Sequence, residues 1–575
     1  MDNFAHSDAR TFSPQEGVST SSDGVANALY RDAYASQPKS DAKRQNVSSN
    51  KADWTLAIDL TASLGAEGTA NQFHHLQSIA QESKGVPVDL VVQVAEPLVP
   101  PGGKELDPRT PRKVDRYMIH DGALTKLGHA TTSKGFAADL TDLLQTANEK
   151  APSNHLGLIL QSHGAGAYGV GGDTGESDLP KFTQAISNGL KGGSHDKLDV
   201  VDFDSCMMGH LKVAETMAPM ALHMVASSLA ENAGPRGLYD GQNLQATVRS
   251  LFHTPTMSAS ELAKDFITQA DRGANDAYVE EHKQRESGTP TLAHFDLVNL
   301  PTYNERLNEL GRALDDAEKD PLKGKVIGNA IEESQKPSFT ISDGGPGLAS
   351  EFADMTSFTT NLQHSLDIGE LKDPAVQSAV KNLIDAQNQL IPQSHVDVDS
   401  QLSNPAAEMS AFLPDDAMLG TRGADHFDGL GEMLEMLGPP SNDGEVADED
   451  LEATNKLAAK LAAPKNELQP KDPNAARILR WDVDRMAMYL GSTHSAEIAE
   501  LRKDVGQLVS AKQGPAFDDA LTQLRITANE LNDSDFGRDL RNKASVDYRD
   551  NAYKVQNLQL PDWQSFIENL RHGQS

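Results

Sequence analysis

Short apolar runs and helical stripes alternate along the first two fifths of the chain. The apolar runs are strand-sized, and the stripes between them repeat every three or four residues, as one buried face of a helix does. Predicted strands cover residues 54–60, 86–94, 116–119, 156–160 and 198–203. Predicted helices carry the stripes Phe73, Leu76 and Ala80, then Phe136, Leu140, Leu143 and Leu144, then Leu179, Phe182, Ile186 and Leu190. This alternation predicts an α/β fold, with a mostly parallel sheet flanked by helices.

The remainder of the chain divides by composition. Residues 1–52 are rich in Ser, Asp, Asn and Gln without apolar periodicity, so we expect them to be disordered. The main domain is predicted over 53–416, and the Pro, Gly and acidic residues of 417–473 indicate a linker or insertion. Helical stripes return over 474–575, for example Ile498, Leu501, Val505 and Leu508, and they predict a helical C-terminal subdomain.

Charge and hydropathy exclude several classes of partner. The 575 residues include 51 basic and 84 acidic side chains, a net charge of -33, which repels nucleic acid and anionic membrane surfaces. Such a field favours basic proteins or peptides, although most of these carboxylates serve only to keep the surface solvated. No stretch reaches the roughly 20 apolar residues that a membrane span requires. The amino terminus lacks the basic and apolar regions of a secretory signal.

The chain contains one cysteine, Cys206, which excludes an intrachain disulfide and a thiolate zinc cluster. Cys206 follows the predicted strand 198–203, just as His163 follows the strand 156–160. If a right-handed helical crossover joins these strands, they run parallel and both residues emerge at the same edge of the sheet. A lone cysteine is more often a small buried side chain. The matched placement instead indicates acyl transfer, with Cys206 as nucleophile and His163 as its proton-transfer partner.

Neighbouring residues fit this chemistry. Gly164 would let the backbone approach a substrate closely, and the amides of Gly164 and Cys206 could together stabilise an oxyanion. A helix beginning near Met207 would present its positive end to the thiol and favour the thiolate. We therefore predict a reactive Cys206/His163 dyad.

The motifs around both residues resemble the clostripain family of cysteine peptidases, within the caspase and gingipain clan. The matching pieces are His163-Gly164 after one strand and Asp204-Ser205-Cys206-Met207-Met208-Gly209 after the next. Further likeness lies at 54–60, 226–239, 291–297 and 409–414, so the resemblance covers 54–416. It implies a caspase-like fold and a cysteine endopeptidase. Ala167 and Leu238 stand where the family usually has tryptophan, so the substrate pocket departs from the family pattern.

The resemblance also implies cleavage after Arg or Lys. The acidic pocket of the family includes the aspartate two residues before the nucleophile, which is Asp204 here. This spacing would turn Asp204 and Cys206 to the same side. The alternative to a role of Asp204 in the substrate pocket is a local structural one, because Asp204 or Ser205 could instead cap a helix beginning at Met207. Glu231 is a second pocket candidate, and Asp202 is expected to be structural.

Processing and cofactors follow from the same resemblance. Related enzymes mature by a cut between the histidine and the cysteine, for which Lys191, Lys197 and Lys181 are candidates. Lys191 precedes a flexible Gly-Gly-Ser loop of the kind in which nicking concentrates. No metal is required for the chemistry; some relatives use calcium, although the acidic segment 173–178 lacks the spacing of a calcium loop. Zinc is not expected, since His74-His75 lack partners at ligand spacing.

A catalytically weak or inactive relative that acts as a binding module is the alternative to an active enzyme. The missing tryptophans favour this alternative, whereas the only cysteine at the nucleophile position favours catalysis more strongly. The Ser-rich amino terminus also resembles the signals of bacterial type III effectors. We therefore expect a bacterial cytoplasmic protein or one secreted without a classical signal peptide. The sequence gives no indication of oligomeric state.

Overall fold

The computed structural model describes a large part of the chain in several ranges. These are residues 51–60, 76–97, 112–172, 175–229, 244–273, 291–335, 352–396, 409–413, 493–511, 515–532, 534–556 and 558–573, with isolated positions between 479 and 490. The predictions for residues 1–50, for 417–473 and for His74-His75 lie outside them. Among the helices in these ranges, none combines the length and apolarity needed to cross a bilayer.

A ten-stranded sheet forms the centre of the described structure. The strands are β1 (Ala52–Leu60), β2 (Val88–Pro97), β3 (Arg112–His120), β4 (Ala123–Lys126), β5 (Thr131–Thr132), β6 (Ser153–Gln161), β7 (His163–Gly164), β8 (Val170–Gly172), β9 (Gly175–Ser177), β10 (Leu198–Asp204), β11 (Ala221–Ala226), β12 (Thr291–Asp296), β13 (Phe352–Asp354), β14 (Gln393–Val396) and β15 (Ser410–Phe412). The sheet runs β14-β12-β11-β10-β6-β1-β2-β3-β4, with β5 on β3. The remaining strands form two small sheets, β13-β15 and β7-β8-β9.

The middle of the large sheet is parallel and its two sides are antiparallel. Strands β11, β10, β6, β1 and β2 pair in parallel, whereas β12, β14, β3 and β4 pair antiparallel with their neighbours. The parallel strands are almost continuously buried, as strands covered on both faces must be. The predicted mostly parallel sheet flanked by helices is confirmed.

The helices supply the layers on both faces of the sheet. They are α1 (Phe136–Lys150), α2 (Leu179–Leu190), α3 (Leu211–Met217), α4 (Leu244–His253), α5 (Ala259–Gly273), α6 (Leu300–Glu318), α7 (Pro321–Gln335), α8 (Met355–Asp367), α9 (Pro374–Leu390), α10 (Ser495–Ser510), α11 (Pro515–Asn532), α12 (Asp535–Gln556) and α13 (Pro561–Gly573). On one face, α4 and α5 join a single apolar cluster with Ile58, Ile159 and Val200. On the opposite face, Phe203 of β10 lies 5.8 Å from Phe182 of α2, between ring centroids.

The contacts divide the chain into two compact units. One unit comprises Met1–Leu413 together with Val555–Ser575, and the other comprises Pro414–Lys554. The second unit has its own apolar cluster, which includes Leu501, Val505, Leu524 and Phe536. The range 474–575, predicted as one helical subdomain, therefore contributes to both units. Its last helix, α13, packs on α6 of the first unit.

Candidate active site

Two central parallel strands bring the predicted dyad to one edge of the sheet. In the register of β6 and β10, Gln161 lies opposite Asp204 and Leu160 opposite Phe203, a constant offset of 43 residues. The same offset separates His163 from Cys206, which are the second residues after these strands. Both side chains are half-buried. The two residues therefore leave neighbouring strands at equivalent positions on the same edge.

A set of hydrogen bonds continues the pairing beyond the ends of the strands. The Ser162 amide donates to the Asp204 carbonyl at 3.2 Å. The hydroxyls of Ser162 and Ser205 lie 2.9 Å apart, and the Ser205 hydroxyl also donates to the Leu160 carbonyl at 3.2 Å. Both serines are buried, and hydrogen bonds shielded from water are stronger than exposed ones. They fix the backbone immediately before His163 and Cys206.

Gly164 packs directly against the loop of residues 205–210, which carries Cys206. A Cβ atom at this position would lie 2.2 Å from the Cys206 carbonyl oxygen and 2.9 Å from the Met208 sulfur. Contacts this short are not tolerated, so a side chain would force the two loops apart. From the sequence, the absence of a side chain at Gly164 is expected to let a substrate approach. In the structure, the close approach is that of the Cys206 backbone itself.

The loop that carries Cys206 is also hydrogen-bonded to the residues that directly follow β11. The Met207 amide donates to the Leu229 carbonyl at 2.8 Å, and the Gly209 amide donates to the Ser227 carbonyl at 2.6 Å. Met207 has φ 59°, in the left-handed region that non-glycine residues rarely occupy. Such a conformation costs about 1–2 kcal/mol and persists only where the surroundings enforce it. The loop is therefore held in a specific, strained shape next to Cys206.

The helix predicted to begin near Met207 begins later. Helix α3 starts at Leu211, and His210 is its N-cap, with the His210 side chain accepting a hydrogen bond from the Lys212 amide. The prediction that a helix end favours the Cys206 thiolate is therefore wrong, because a macrodipole acts only within its first turn. The interpretation of Asp204 or Ser205 as helix caps is wrong for the same reason.

Two carboxylates near the end of β10 differ in burial. Asp204 is half-buried, and its Oδ2 accepts a hydrogen bond from Gln161 Nε2 at 3.1 Å. Asp202 is buried, and neither of its oxygens has a hydrogen-bond partner among the described residues. Burial, together with the nearby Asp204 charge, raises the pKa of Asp202 well above its usual range. Asp204 is thus the carboxylate of this pair that solvent can reach.

A third carboxylate lies near the end of β1. Asp59 is fully buried, opposite Leu160 of β6, and accepts a hydrogen bond from Gln93 Nε2 at 3.1 Å. Burial raises the pKa of Asp59 to about 7, with the Asp139 charge acting in the same direction and the Gln93 bond opposing it. Proton binding at Asp59 consequently couples the stability of this part of the sheet to pH near neutrality.

The three candidate processing sites occupy different environments. Lys181 lies in the first turn of α2, where its ammonium is 2.7 Å from Asp178, the N-cap of that helix. Lys197 is half-buried and donates to the Ala218 carbonyl at 2.9 Å; burial lowers the pKa of Lys197. Lys191 is exposed at the C-terminal end of α2, in front of an exposed turn. Of the three, only Lys191 combines exposure with an irregular backbone.

Several predicted residues fall elsewhere. Glu231 and Leu238 lie outside the described residues, whereas Ala167 is buried in a short 3₁₀ helix, Gly166–Tyr168, that follows His163. In the part of the chain that the structure describes, no group of three or more His, Cys, Asp or Glu side chains is arranged to hold a metal ion. The calcium prediction stays a prediction.

Several residues that hold the site together are not predicted from the sequence. The serines Ser162 and Ser205 share the offset of His163 and Cys206, so the repeated spacing of the two tripeptides is a signal that could have found them. Gln556 has no such signal, because the hydrogen bond from its Nε2 to the Tyr168 hydroxyl joins distant parts of the chain. The site is therefore larger than its two motifs.

The described structure brings a thiol and an imidazole to one edge of a mostly parallel α/β sheet, and comparisons with known proteins identify the family of the chain. The model of the clostripain family matches residues 122–431, more than half of the chain. The chain belongs to the clostripain family and is a cysteine endopeptidase. A comparison with curated proteins finds no significant match.

Solved structures of the same kind are similar to the chain at low identity. A secreted C11 cysteine protease from Bacteroides thetaiotaomicron, iotapain, is 12% identical with a TM-score of 0.42, over 63% of this chain and 94% of that one. An inactive zymogen C11 protease from Parabacteroides distasonis is 13% identical with a TM-score of 0.42, over 64% and 94%. The family assignment rests on the family model rather than on these structures.

Proposed function

We propose that this endopeptidase cleaves peptide bonds after Arg or Lys through a Cys206/His163 dyad. The observation that carries the proposal is the common register of Gln161-Ser162-His163 and Asp204-Ser205-Cys206 on β6 and β10. It brings a half-buried imidazole and the only thiol of the chain to one edge, where open α/β sheets bind ligands.

The chemistry follows from these two groups. His163 takes the proton of the Cys206 thiol, and the sulfur attacks the carbonyl carbon of the scissile bond. The amides of Gly164 and Cys206 stabilise the oxyanion of the tetrahedral intermediate. Protonated His163 then gives its proton to the leaving amine, and water, activated by the same imidazole, releases the acid and restores the thiol.

Asp204 is the proposed source of basic specificity. With the helix-cap interpretation removed, its half-buried carboxylate lies two residues before Cys206 and bonds Gln161 through one oxygen. A Lys or Arg side chain in the first site would form a charge-assisted bond with it, which is worth about 1.5–3 kcal/mol. Glu231 is proposed as a second acidic group of this pocket.

A library of fluorogenic peptides, varied at the first site, tests the proposal. We expect wild type to prefer Lys and Arg, and Cys206→Ala and His163→Ala each to lose more than about a thousandfold in kcat/KM while the fold is kept. Asp204→Asn should lose about ten- to a hundredfold on basic peptides only. Turnover retained in Cys206→Ala would refute the dyad, and an equal loss on all peptides in Asp204→Asn would refute the pocket.

Self-processing is proposed at Lys191. A basic preference would make this exposed lysine a substrate, whereas Lys181 is ion-paired within a helix and Lys197 is half-buried. The cut would release the chain between α2 and β10 and leave two associated fragments. The enzyme would then carry its histidine and its nucleophile on different fragments.

A further inference from the structure

The turn that contains Lys191 lies at the edge of the sheet opposite to the dyad. Strands β6 and β10 begin at Ser153 and Leu198, at what we call the amino edge. They end at the carboxyl edge, where His163 and Cys206 follow them. Helix α2 begins after the small sheet that starts at His163, and its 12 residues run back for about 18 Å. Lys191 is the C-cap of that helix and therefore lies at the amino edge.

Contacts on both sides of Lys191 hold the turn at the amino edge. Before it, the Gly189 carbonyl accepts a hydrogen bond at 3.1 Å from Asn148 Nδ2, in the last turn of α1. After it, His195 is only 5% exposed, and its Nε2 lies 3.1 Å from the carbonyl oxygen of Ser153, the first residue of β6. The chain is thus fastened to the start of the sheet on either side of the candidate cleavage site.

The length of β10 separates Lys191 from Cys206 of the same molecule. This strand has seven residues, so it spans about 20 Å from one edge to the other. For the Lys191 peptide bond to reach its own thiol, Leu190 and His195, each 5% exposed, would have to leave the core. Burial of a leucine side chain alone is worth about 1.5–3 kcal/mol, and the end of α2 would also have to unwind. The thiol of a folded chain therefore does not reach this bond in the same chain.

The same turn is open to another molecule. Residues 191–194 are exposed, and a Cβ added at Gly192 would meet nothing within 4 Å. Lys191 itself has left the helical conformation, with φ -59° and ψ 122°. Exposed turns of small and polar residues are the preferred sites at which folded chains are nicked. A second enzyme molecule can therefore approach the bond that the first cannot reach within itself.

We propose that cleavage after Lys191 is intermolecular, so that the processing partner of this active site is a second copy of the chain. The inference rests on the proposed dyad with its cleavage after lysine, and it adds which molecule is cut. The Cys206 sulfur of one copy bonds to the Lys191 carbonyl carbon of the other, and the C–N bond to Gly192 breaks. The Gly192 nitrogen leaves as an amine with the proton that His163 supplies. Water then hydrolyses the thioester, which leaves a Lys191 carboxylate and restores the thiol.

A mixture of two full-length chains tests the proposal. Cys206→Ala labelled with heavy nitrogen is incubated with unlabelled wild type, and mass spectrometry assigns each fragment to its parent chain. We expect labelled fragments that end at Lys191, formed at a rate that doubles when the wild-type concentration is doubled. The labelled double variant Cys206→Ala, Lys191→Ala is the matched control and should stay uncut in this turn. A labelled chain that stays whole beside wild type that hydrolyses lysine peptides would overturn the proposal.

Dilute wild type tests whether a chain can cut itself. A trace amount made by cell-free translation should stay whole, because two copies seldom meet at such dilution, and should be cut when purified wild type is added. Cutting after Lys191 at a rate that does not change on further dilution would place the reaction within one molecule and would contradict the intermolecular route.

Limited digestion with trypsin separates failure of this inference from failure of the dyad. Trypsin is also a second molecule that cuts after lysine, and among the three candidate lysines of Cys206→Ala it should cut after Lys191 before Lys181 or Lys197. If wild type hydrolyses no peptide, the proposed dyad fails, and this order of cutting alone decides whether the turn is open to a second molecule. A first cut at Lys181 or Lys197 would then overturn the inference.

Discussion

The sheet edge that carries the dyad and the C-terminal helices differ in how far a local pattern determines them. At the edge, two strands joined by a crossover helix must run parallel, so their ends meet and His163 comes to the same edge as Cys206. In the C-terminal region, an amphipathic stripe predicts a helix but not the surface that it covers. The chain accordingly changes unit between Lys554 and Val555, within the predicted subdomain. The order and direction of strands therefore predict which segments of the chain lie next to each other better than helical periodicity does.

The largest effect on stability is expected from Trp563→Ala. Trp563 is 2% exposed and packs beside Phe358 and Phe566, with ring centroids 6.4 and 5.4 Å away. Its removal should destabilise the first unit, which contains His163 and Cys206, by about 3–5 kcal/mol, since a cavity is left among aromatic rings. Denaturant unfolding of wild type and Trp563→Ala measures the difference, and heat inactivation of peptide hydrolysis follows the unit that contains Cys206.

Leu524→Ala provides the comparison in the other unit. Leu524 is fully buried in the apolar cluster of α10 and α11, and its truncation also costs about 2–5 kcal/mol. We expect it to lower the melting temperature of the second unit and to leave the heat inactivation of the first unit, which contains Cys206, unchanged. Equal heat inactivation of wild type and Trp563→Ala would contradict the assignment of residues 555–575 to the first unit.

The pH dependence of stability should reveal the buried carboxylate at the end of β1. Asp59 has a pKa of about 7 in the folded state and 3.8 as its ordinary value, so the folded state binds the proton more tightly. The contribution of the Asp59 proton to the free energy of unfolding is fully present below pH 3.8 and is lost as the pH rises through about 7. Between pH 5 and pH 8 this loss amounts to about 3 kcal/mol. Asp59→Asn removes this ionisation, and chemical denaturation at both pH values measures the difference.

In that experiment, the free energy of unfolding of Asp59→Asn relative to that of wild type should increase from pH 5 to pH 8. Asp53→Asn, at a half-exposed position of the same strand, is the control for the loss of a carboxylate, and its change in stability between the two pH values is compared with that of Asp59→Asn. A constant difference between Asp59→Asn and wild type across the range would contradict the raised pKa.

A smaller change in stability is expected at Gly164, which is tightly packed at the edge of the sheet that carries His163 and Cys206. Gly164→Ala places a Cβ against the Cys206 carbonyl oxygen and should destabilise the protein by about 1–3 kcal/mol, with a fall in kcat because the loops are displaced. Gly328→Ala, in α7 with nothing within 4 Å of the added Cβ, should stabilise by about 0.5–1 kcal/mol. Denaturant titration compares the two, and similar values for both variants would argue against the close contact.

The smallest energetic change is expected from Lys191→Ala, which alters an exposed side chain. Mass spectrometry after incubation should show fragments ending at Lys191 in wild type and none in Lys191→Ala or Cys206→Ala. Lys181→Ala serves as the control and should be cut like wild type. A wild-type chain that is active and remains uncut would refute the proposed self-cleavage after Lys191.

The sequence by itself determines the order of strands and helices and the pair of residues at the sheet edge. Apolar periodicity is a local property, so residues 156–160 and 198–203 indicate buried strands, which are β6 and β10 of the central sheet. The crossover between them has one favoured hand. From these facts alone, His163 and Cys206 are expected to emerge together, and the motif around each then indicates the family.

The tertiary structure decides what depends on contacts between distant segments. Helix α3 starts at Leu211 rather than near Met207 because the intervening residues bond to the end of β11 instead of to each other. Gly164 is constrained by the Cys206 carbonyl, and Gln556 meets Tyr168 from 388 positions away. No periodicity records such contacts, since a buried hydrogen bond or a close approach depends on where two segments meet in space.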